Sequence, residues 1–556
     1  MFSSSIIITY GIHPFDICIK NPELWQIIKI LFIFTYIFSS LILSNLIYKY
    51  LIKSFFYLLI FIFNKLKLYF LKLKNIKNNK IKNSILNVIN NLPQLNLFIG
   101  NTENKKNAIY LPEKSLYQNI LITGTIGTGK TSSAMYPFTE QLISNKIHLP
   151  MLILDVKGNY YLKVKELCQK YNRIDDLIVL ELNGNFRYNP LHKPNLKASV
   201  LANRLKDILL LFSPNNSESY WIDKSEQVLT EAIKLCRLYN NGYVTFEEIH
   251  KLITIENYYK EKILILRDLF NQNNLSYSQV YDLFSSITFF EKEFFSLDSR
   301  TLSILKSEIT RITNCFISDY SVFQTFCPQK KDLNFLGFKD ALISGKIIVL
   351  NLNISEYKNL SKIIAAYLKL DFQTEVMNRL SNNNSGDFSP AVFISDEYSE
   401  YCTISDSNFF SQSREAKCIN IIATQSYTSL LNTLNNKYAT EVIIQNLVNK
   451  LWFRTDDMFT IESAQKQIGK EDKEKISKNI SENAKETKYS YLSGSLNSTN
   501  SSISESINTY LQYDYIYDTN FFTQSLENFT CLAFLSDGQK IMKPEKILLK
   551  PIFKKN

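Results

Sequence analysis

The stretch Asn119-Ile-Leu-Ile-Thr-Gly-Thr-Ile-Gly-Thr-Gly-Lys-Thr131 constrains this chain more than any other. Ile120 to Thr123 reads as a buried strand, a glycine-rich loop follows, and a helix opens at Lys130-Thr131. Gly124, Gly129, Lys130 and Thr131 fill every fixed position of the G-x-x-x-x-G-K-[ST] phosphate-binding loop. Glycines let the backbone turn tightly, so that its N–H groups face phosphate oxygens with no Cβ in the way. Lys130 is expected on the β- and γ-phosphates and the Thr131 hydroxyl on Mg²⁺. Thr125, Ile126, Gly127 and Thr128 fill the variable positions. Ser132 continues into a helix whose N-terminal end favours anions. The alternative is an ordinary strand-to-helix loop. Against it stand the flanking apolar and helical patterns and the scarcity of glycine, 14 in 556 residues.

A chain of this length has room for two or three domains. Its formal net charge of +11 suggests nucleic acid until the charge is located. Between Glu23 and Glu103 there is no acid and there are ten lysines, leaving 11 − 10 = +1 for the rest. The basic excess is therefore confined to the N-terminal region, where Ile30 to Tyr48 are 19 consecutive uncharged, mostly apolar residues. That is close to the ~20 needed to span a bilayer as a helix. A second run, Ser54 to Asn64, is short; it spans with its flanking lysines snorkelling, or lies in the interface. The following lysines place this side in the cytoplasm by the positive-inside rule, where a phosphate loop meets ATP. The eight cysteines include no C-x-x-C pair and have no histidine nearby, which excludes a zinc site or disulfide framework.

Past residue 95 the pattern is globular. Strands at Pro150–Lys157 and Leu177–Glu181 alternate with helices, indicating a parallel α/β sheet. From Ala198 to Ile317 only helical periodicity is found, with core stripes through Trp221, Val228, Leu229, Ala232, Ile233 and Cys236, and through Leu297, Leu302, Leu305, Ile309 and Ile312. Strands resume at Gly345–Leu352, Ala391–Glu397, Ile419–Thr424 and Lys450–Arg454, and Leu532–Pro551 reads as closing strands. Residues 470–505 are rich in Ser, Asn, Lys and Glu and read as a flexible excursion. The expected division is a membrane anchor and linker over 1–90, a nucleotide-binding domain over 91–195 and 335–556, and an all-α insertion over 196–334.

Two strands end in an acid able to hold Mg²⁺, Asp155 and Asp396. Asp396 is followed by Glu397, and phosphoanhydride hydrolysis needs a base for water beside the metal ligand. Asp396 is therefore favoured for Mg²⁺ and Glu397 for water activation. Gln425 closes the next strand, where an amide reads the γ-phosphate or simply caps the strand. Arg414 lies between those strands: either it neutralises transition-state charge in a neighbouring subunit's site, or it is an ordinary exposed arginine.

The ensemble resembles the type IV secretion coupling proteins, the TraG/TraD family of conjugative DNA-transfer ATPases. The resemblance rests on the phosphate loop, Leu-Asp-Val-Lys-Gly158, Tyr-Asn-Pro-Leu191, Tyr-Trp221, Gly-Lys-Ile-Ile-Val-Leu350, Ile-Ser-Asp-Glu397, Ser-Arg-Glu415 and Ala-Thr-Gln-Ser426, in that order after an N-terminal anchor. It implies a RecA-like P-loop NTPase domain carrying an all-α domain, assembled as a hexamer on the inner membrane. Such a ring hydrolyses ATP with Mg²⁺, receives single-stranded DNA with its relaxase or an effector protein, and hands it to secretion channel components. The chain departs from the family in its short second apolar run and in Asn159, where an acid is usual. The rival readings are a double-stranded DNA pump resembling FtsK or HerA, a docking receptor locked by nucleotide without turnover, and an exporter of protein alone.

Overall fold

Near-continuous apolar runs such as Ile-Leu-Ile, Met-Leu-Ile-Leu and Ala-Val-Phe-Ile suit strands covered on both faces, and they build the centre of one large sheet. The computed structural model describes residues 95–553 except 104–106, 156, 212–218, 353, 358, 383–387, 483–487, 490–495 and 498–502, together with residues 26, 30 and 31. The apolar runs Ile30–Tyr48 and Ser54–Asn64 thus lie outside the described residues, apart from Ile30 and Leu31. Among the described residues no helix is long and apolar enough to cross a membrane. Residues 93–556 form one compact unit.

β1 (Asn96–Thr102) and β2 (Ala108–Pro112) form an antiparallel pair that the sequence pattern did not reveal. β3 (Ile120–Thr123), β4 (Met151–Leu154), β5 (Leu177–Glu181), β6 (Ile347–Asn351), β7 (Ala391–Ser395), β8 (Cys418–Thr424) and β9 (Asn449–Trp452) run parallel to one another. After them come β10 (Lys470–Glu482), β11 (Lys488–Tyr489), β12 (Leu496–Asn497) and β13 (Ile503–Tyr515), which stay outside the main sheet. β14 (Thr530–Phe534) and β15 (Glu545–Leu548) return to it antiparallel, as the closing strands. The eleven strands are ordered β2-β1-β15-β14-β9-β3-β8-β7-β4-β6-β5.

Successive side chains of the parallel strands enter two different cores. Leu121, Leu152, Leu154, Ile348, Leu350 and Phe393 join the core on one face, which continues into the helical region. Ile120, Ile122, Met151, Ile153, Ile347, Val349 and Val392 face the other, under the helices Tyr136–Ile143 and Tyr160–Lys170. The helical region runs from Ala198–Leu211 through Ser299–Ile317 to Tyr320–Phe326. Val228, Leu229, Ala232, Ile233 and Cys236 are buried along one stripe, and Leu305, Ile309 and Ile312 along the other. Four of its helices start on side-chain caps: Thr245 accepts from the Glu248 amide, Ser276 and Gln279 form a capping box, and Asp298 and Asp319 cap the last two.

A buried ionic cluster ties that region to the sheet. Asp371, on the helix Asn359–Asn382, accepts from Lys193 at 2.7 Å, Arg204 at 2.9 Å and the Tyr188 hydroxyl at 2.5 Å. Burial alone would raise the Asp371 carboxyl, but the two cations and the hydroxyl hold it below its ordinary range. The seven cysteines among the described residues are free.

One expectation is corrected. Residues 470–505 are not a featureless excursion, because β10 pairs antiparallel with β13 from Lys470↔Tyr515 to Glu482↔Ile503. Opposite residues share a face, so Ile476, Ile480, Ile507, Leu511 and Tyr513 fall on one side of the ribbon, amid lysines and acids. Overall composition hides a pattern that alternates across two strands rather than along one.

Candidate nucleotide site

The phosphate loop is held at the C-terminal ends of three adjacent parallel strands. The Gly124 amide donates to the Gln425 carbonyl beyond β8 at 3.2 Å, and the Thr125 amide to the Arg454 carbonyl beyond β9 at 2.9 Å. Gly127 (φ 83°) and Gly129 (φ 94°) sit in the left-handed region that disfavours other residues. A Cβ on Gly129 would also lie 2.5 Å from the Phe529 ring. The helix then opens in a wide π-type turn, Lys130–Met135, before the α-helix Tyr136–Ile143. Ile126 is 79% exposed at the loop tip, whereas Thr128 and Lys130 are buried.

Lys130 curls into the loop, its ammonium donating to the Gly124 carbonyl and, at 3.1 Å, to that of Thr125. Burial lowers its pKa from the ordinary lysine value, an effect opposed by the nearby charges of Glu397 and Asp396. The Thr131 hydroxyl donates to Asp396 Oδ2 at 2.9 Å. Ser132 and Ser133 bond back to the Gly129 carbonyl, at 3.3 and 2.8 Å.

Sheet order explains which acid meets the loop. β8 is inserted between β3 and β7, so Asp396, just past β7, lies two strands from the loop strand and Asp155, past β4, lies three. At about 4.8 Å per strand, that difference separates contact from no contact. Asp155 is instead spent locally, accepting the amides of Lys157, Asn159 and Tyr160 at 2.9, 3.2 and 3.1 Å. Burial pushes the Asp396 carboxyl up to about 6 against the pull of Lys157, with Asp155 and Glu397 adding to the rise.

The same insertion sets Gln425 between the loop and the acidic pair, where its amide donates to Glu397 Oε2 at 3.3 Å. Glu397 Oε1 takes the Lys157 ammonium at 2.5 Å. Burial acts to lower the Lys157 pKa, but the bond to Glu397 and the charges of Asp396 and Asp155 leave it above the ordinary value. Lys157 belongs to the Leu-Asp-Val-Lys-Gly158 motif, yet nothing local marks it as a partner of a residue 240 positions later. Phe529 was likewise missed, because its role is steric and arises only from strand pairing.

Arg414 stands apart from this group. It is exposed on the turn between the helix Asp406–Gln412 and β8. The seven residues of β8 separate that turn from Gln425, roughly 20 Å of extended chain. Arg414 therefore cannot serve the phosphate loop of its own chain.

The residues fit a nucleotide with Mg²⁺. The backbone is open at Gly127, where an added Cβ would meet nothing within 4 Å, and a buried ammonium lies in the loop. One carboxylate with one hydroxyl is the hard-oxygen set Mg²⁺ takes when phosphates and water complete its shell. A cleft of about 580 Å³ beside the loop, lined in part by Thr125, Ile126, Gln425 and Thr455, falls in the size range of small-molecule sites.

Comparison with known proteins agrees with this arrangement. Residues 390–513 match the family model described as the TraM recognition site of TraD and TraG. Curated protein sequences give no match. Among solved structures, the chain is similar to the bacterial conjugative coupling protein TrwBdeltaN70 in unbound form. That likeness has 12% identity and a TM-score of 0.53, over 80% of this chain and 87% of the other. It is similar to the plasmid coupling protein TrwB in complex with ADP and Mg²⁺, at 12% identity, 80% and 88% coverage and a TM-score of 0.53. The complex of TrwB with the non-hydrolysable ATP analogue ADPNP gives 11%, 83% and 94%, and 0.52. At such identities the likeness is one of fold.

Proposed function

We propose that this chain is a coupling protein of the TraG/TraD type, a membrane-anchored ring ATPase coupling the recruitment of a DNA–relaxase or protein substrate to export in conjugation. The observation that carries the reading is the Thr131–Asp396 contact, made across the inserted strand β8. It joins a phosphate loop to a strand-end acid followed by a second carboxylate, the minimum apparatus for ATP hydrolysis.

In this reading Gly124 to Ser132 cradle the phosphates, with Lys130 on the β- and γ-groups. Thr131 and Asp396 would hold Mg²⁺, which when bound neutralises charge on the phosphate oxygens. Glu397 accepts the proton of the attacking water, and Gln425 orients the γ-phosphate side of the site. Arg414, too far from its own loop, serves a neighbour's, which calls for a closed ring, a hexamer by the family resemblance. The motor comprises 91–195 and 335–556, the helical domain 196–334, and the apolar runs before residue 90 hold the ring to the inner membrane with its body in the cytoplasm. TrwB bound to ADP with Mg²⁺ and to ADPNP supports nucleotide use by this fold. The TraM-recognition match supports a partner on the DNA-processing complex.

The test is ATP turnover by the full chain in detergent, measured against single-stranded DNA at several protein concentrations. The rate is expected to rise with DNA under conditions that favour oligomers, and Lys130→Ala is expected to abolish it. Turnover by Lys130→Ala at the wild-type rate would sink the motor reading. Indifference to DNA in confirmed rings would leave protein as the cargo.

A further inference from the structure

Both oxygens of Glu397 are taken. Oε1 accepts from Lys157 at 2.5 Å and Oε2 from Gln425 at 3.3 Å. A carboxylate that is to take a proton from water must turn an oxygen toward that water, and neither oxygen of Glu397 is free to do so while both bonds stand. The mount of Lys157 is firm, since Asp155 ties down the amides at 157, 159 and 160. The two side chains differ in freedom: that of Lys157 is 50% exposed and that of Glu397 only 8%. The pair therefore has one buried member and one that swings out to solvent at little cost. Glu397 itself has φ 51° and ψ 46°, a left-handed backbone uncommon for a residue with a Cβ. Such backbone strain gathers at sites with two working arrangements.

We propose that Lys157 is a positioning residue that latches Glu397 away from the attacking water, so that hydrolysis waits until its ammonium leaves. The inference rests on the reading of Glu397 as the water-activating group. It assigns to Lys157 the suppression of idle turnover, a role separate from nucleotide binding, which the loop residues perform.

The test compares Lys157→Met, which keeps the length and removes the charge, with Lys157→Arg, in the full chain in detergent. Without DNA, Lys157→Met is expected to raise kcat about fivefold, the worth of a partly exposed ion pair, with KM for ATP within about twofold. Lys157→Arg is expected to stay near wild type. A second measurement needs no turnover: amide hydrogen exchange at Glu400 and Tyr401, whose N–H groups close the turn after Glu397, in protein free of nucleotide. Exchange there is expected to quicken in Lys157→Met and not in Lys157→Arg. An unchanged or lower kcat in Lys157→Met, or unaltered exchange, overturns the latch. Glu397→Gln turning over at the wild-type rate would instead defeat the underlying assignment, and the exchange measurement then still reads the latch by itself.

Discussion

The Thr131 hydroxyl meets the Asp396 carboxylate at 2.9 Å although 265 positions separate them in the chain. The contact joins residues on either side of the helical region and reaches across β8, which sits between β3 and β7. The two residues are thus a sensitive report of whether the sheet is correctly wound.

Glu397→Gln keeps the shape of the side chain and its reach to Lys157 and Gln425 but accepts no proton. Turnover is expected to fall by about 10²- to 10⁴-fold, the usual share of a general base, while nucleotide affinity stays near wild type. Single-turnover kinetics with a fluorescent ATP analogue separate the two quantities.

Asp155→Ala strips three amides of their acceptor, that of Tyr160 buried and those of Lys157 and Asn159 part-buried. A loss of about 1–3 kcal/mol in folding stability is expected, with the Mg²⁺ dependence of nucleotide binding unchanged. Denaturant melts and Mg²⁺ titrations of the same sample check both halves. A selective loss of Mg²⁺ dependence would make Asp155 the metal ligand in place of Asp396.

Lys450, on β9 beside the loop strand, is 1% exposed, and its ammonium donates to the Leu447 carbonyl at 3.0 Å. Burial pushes it down to about 8. The folded value lies below the unfolded one, so below pH 8 the protein bears the full cost of a buried charge. Above it the folded state sheds the proton and the cost fades, so stability from this group rises between about pH 8 and 10.5. Lys450→Met is expected to stabilise the protein by about 2–3 kcal/mol at pH 7, the gain shrinking as pH climbs through that window. Calorimetric melts of both proteins from pH 7 to 10 measure the difference.

The ribbon of β10 and β13 pairs only with itself, and its base is fixed where the Ile516 amide donates to the Gly469 carbonyl at 3.2 Å. Replacing residues 471–514 with a short Gly-Ser turn is expected to leave Tm within about 2–4 °C and nucleotide binding intact. Loss of a cooperative melt would show that the ribbon is part of the body's core.

The central strands were legible because each carries an apolar run bounded by chemistry at its C-terminal end: Gly124 after β3, Asp396 after β7, Gln425 after β8. The adjacent Glu397 is what favours Asp396 over Asp155 in the sequence, and sheet order brings Asp396 rather than Asp155 to Thr131. The Lys157–Glu397 pair was not legible, since a lysine three residues beyond a strand looks like any surface lysine until topology brings β4 beside β7. The β10–β13 ribbon escaped because its apolar residues lie sparsely along each strand and become a stripe only once the register is known. β1 and β2, at one end of the sheet, escaped for a related reason: strands exposed on one side lack the continuous apolar signature of the centre.

The closing strands brace the phosphate loop. The Phe529 amide donates to the Thr128 carbonyl at 3.1 Å, the Leu549 amide to that of Phe529 at 2.9 Å, and the Ile552 amide to that of Ser132 at 2.8 Å. On the ribosome this has a temporal meaning. The backing is translated about 400 residues after the loop, so a nascent chain carries the nucleotide motif long before it has the support that shapes it. Synthesis at about 5–20 residues per second leaves that interval on the order of tens of seconds. A chain released before Phe529 therefore lacks the contacts that shape its own phosphate loop.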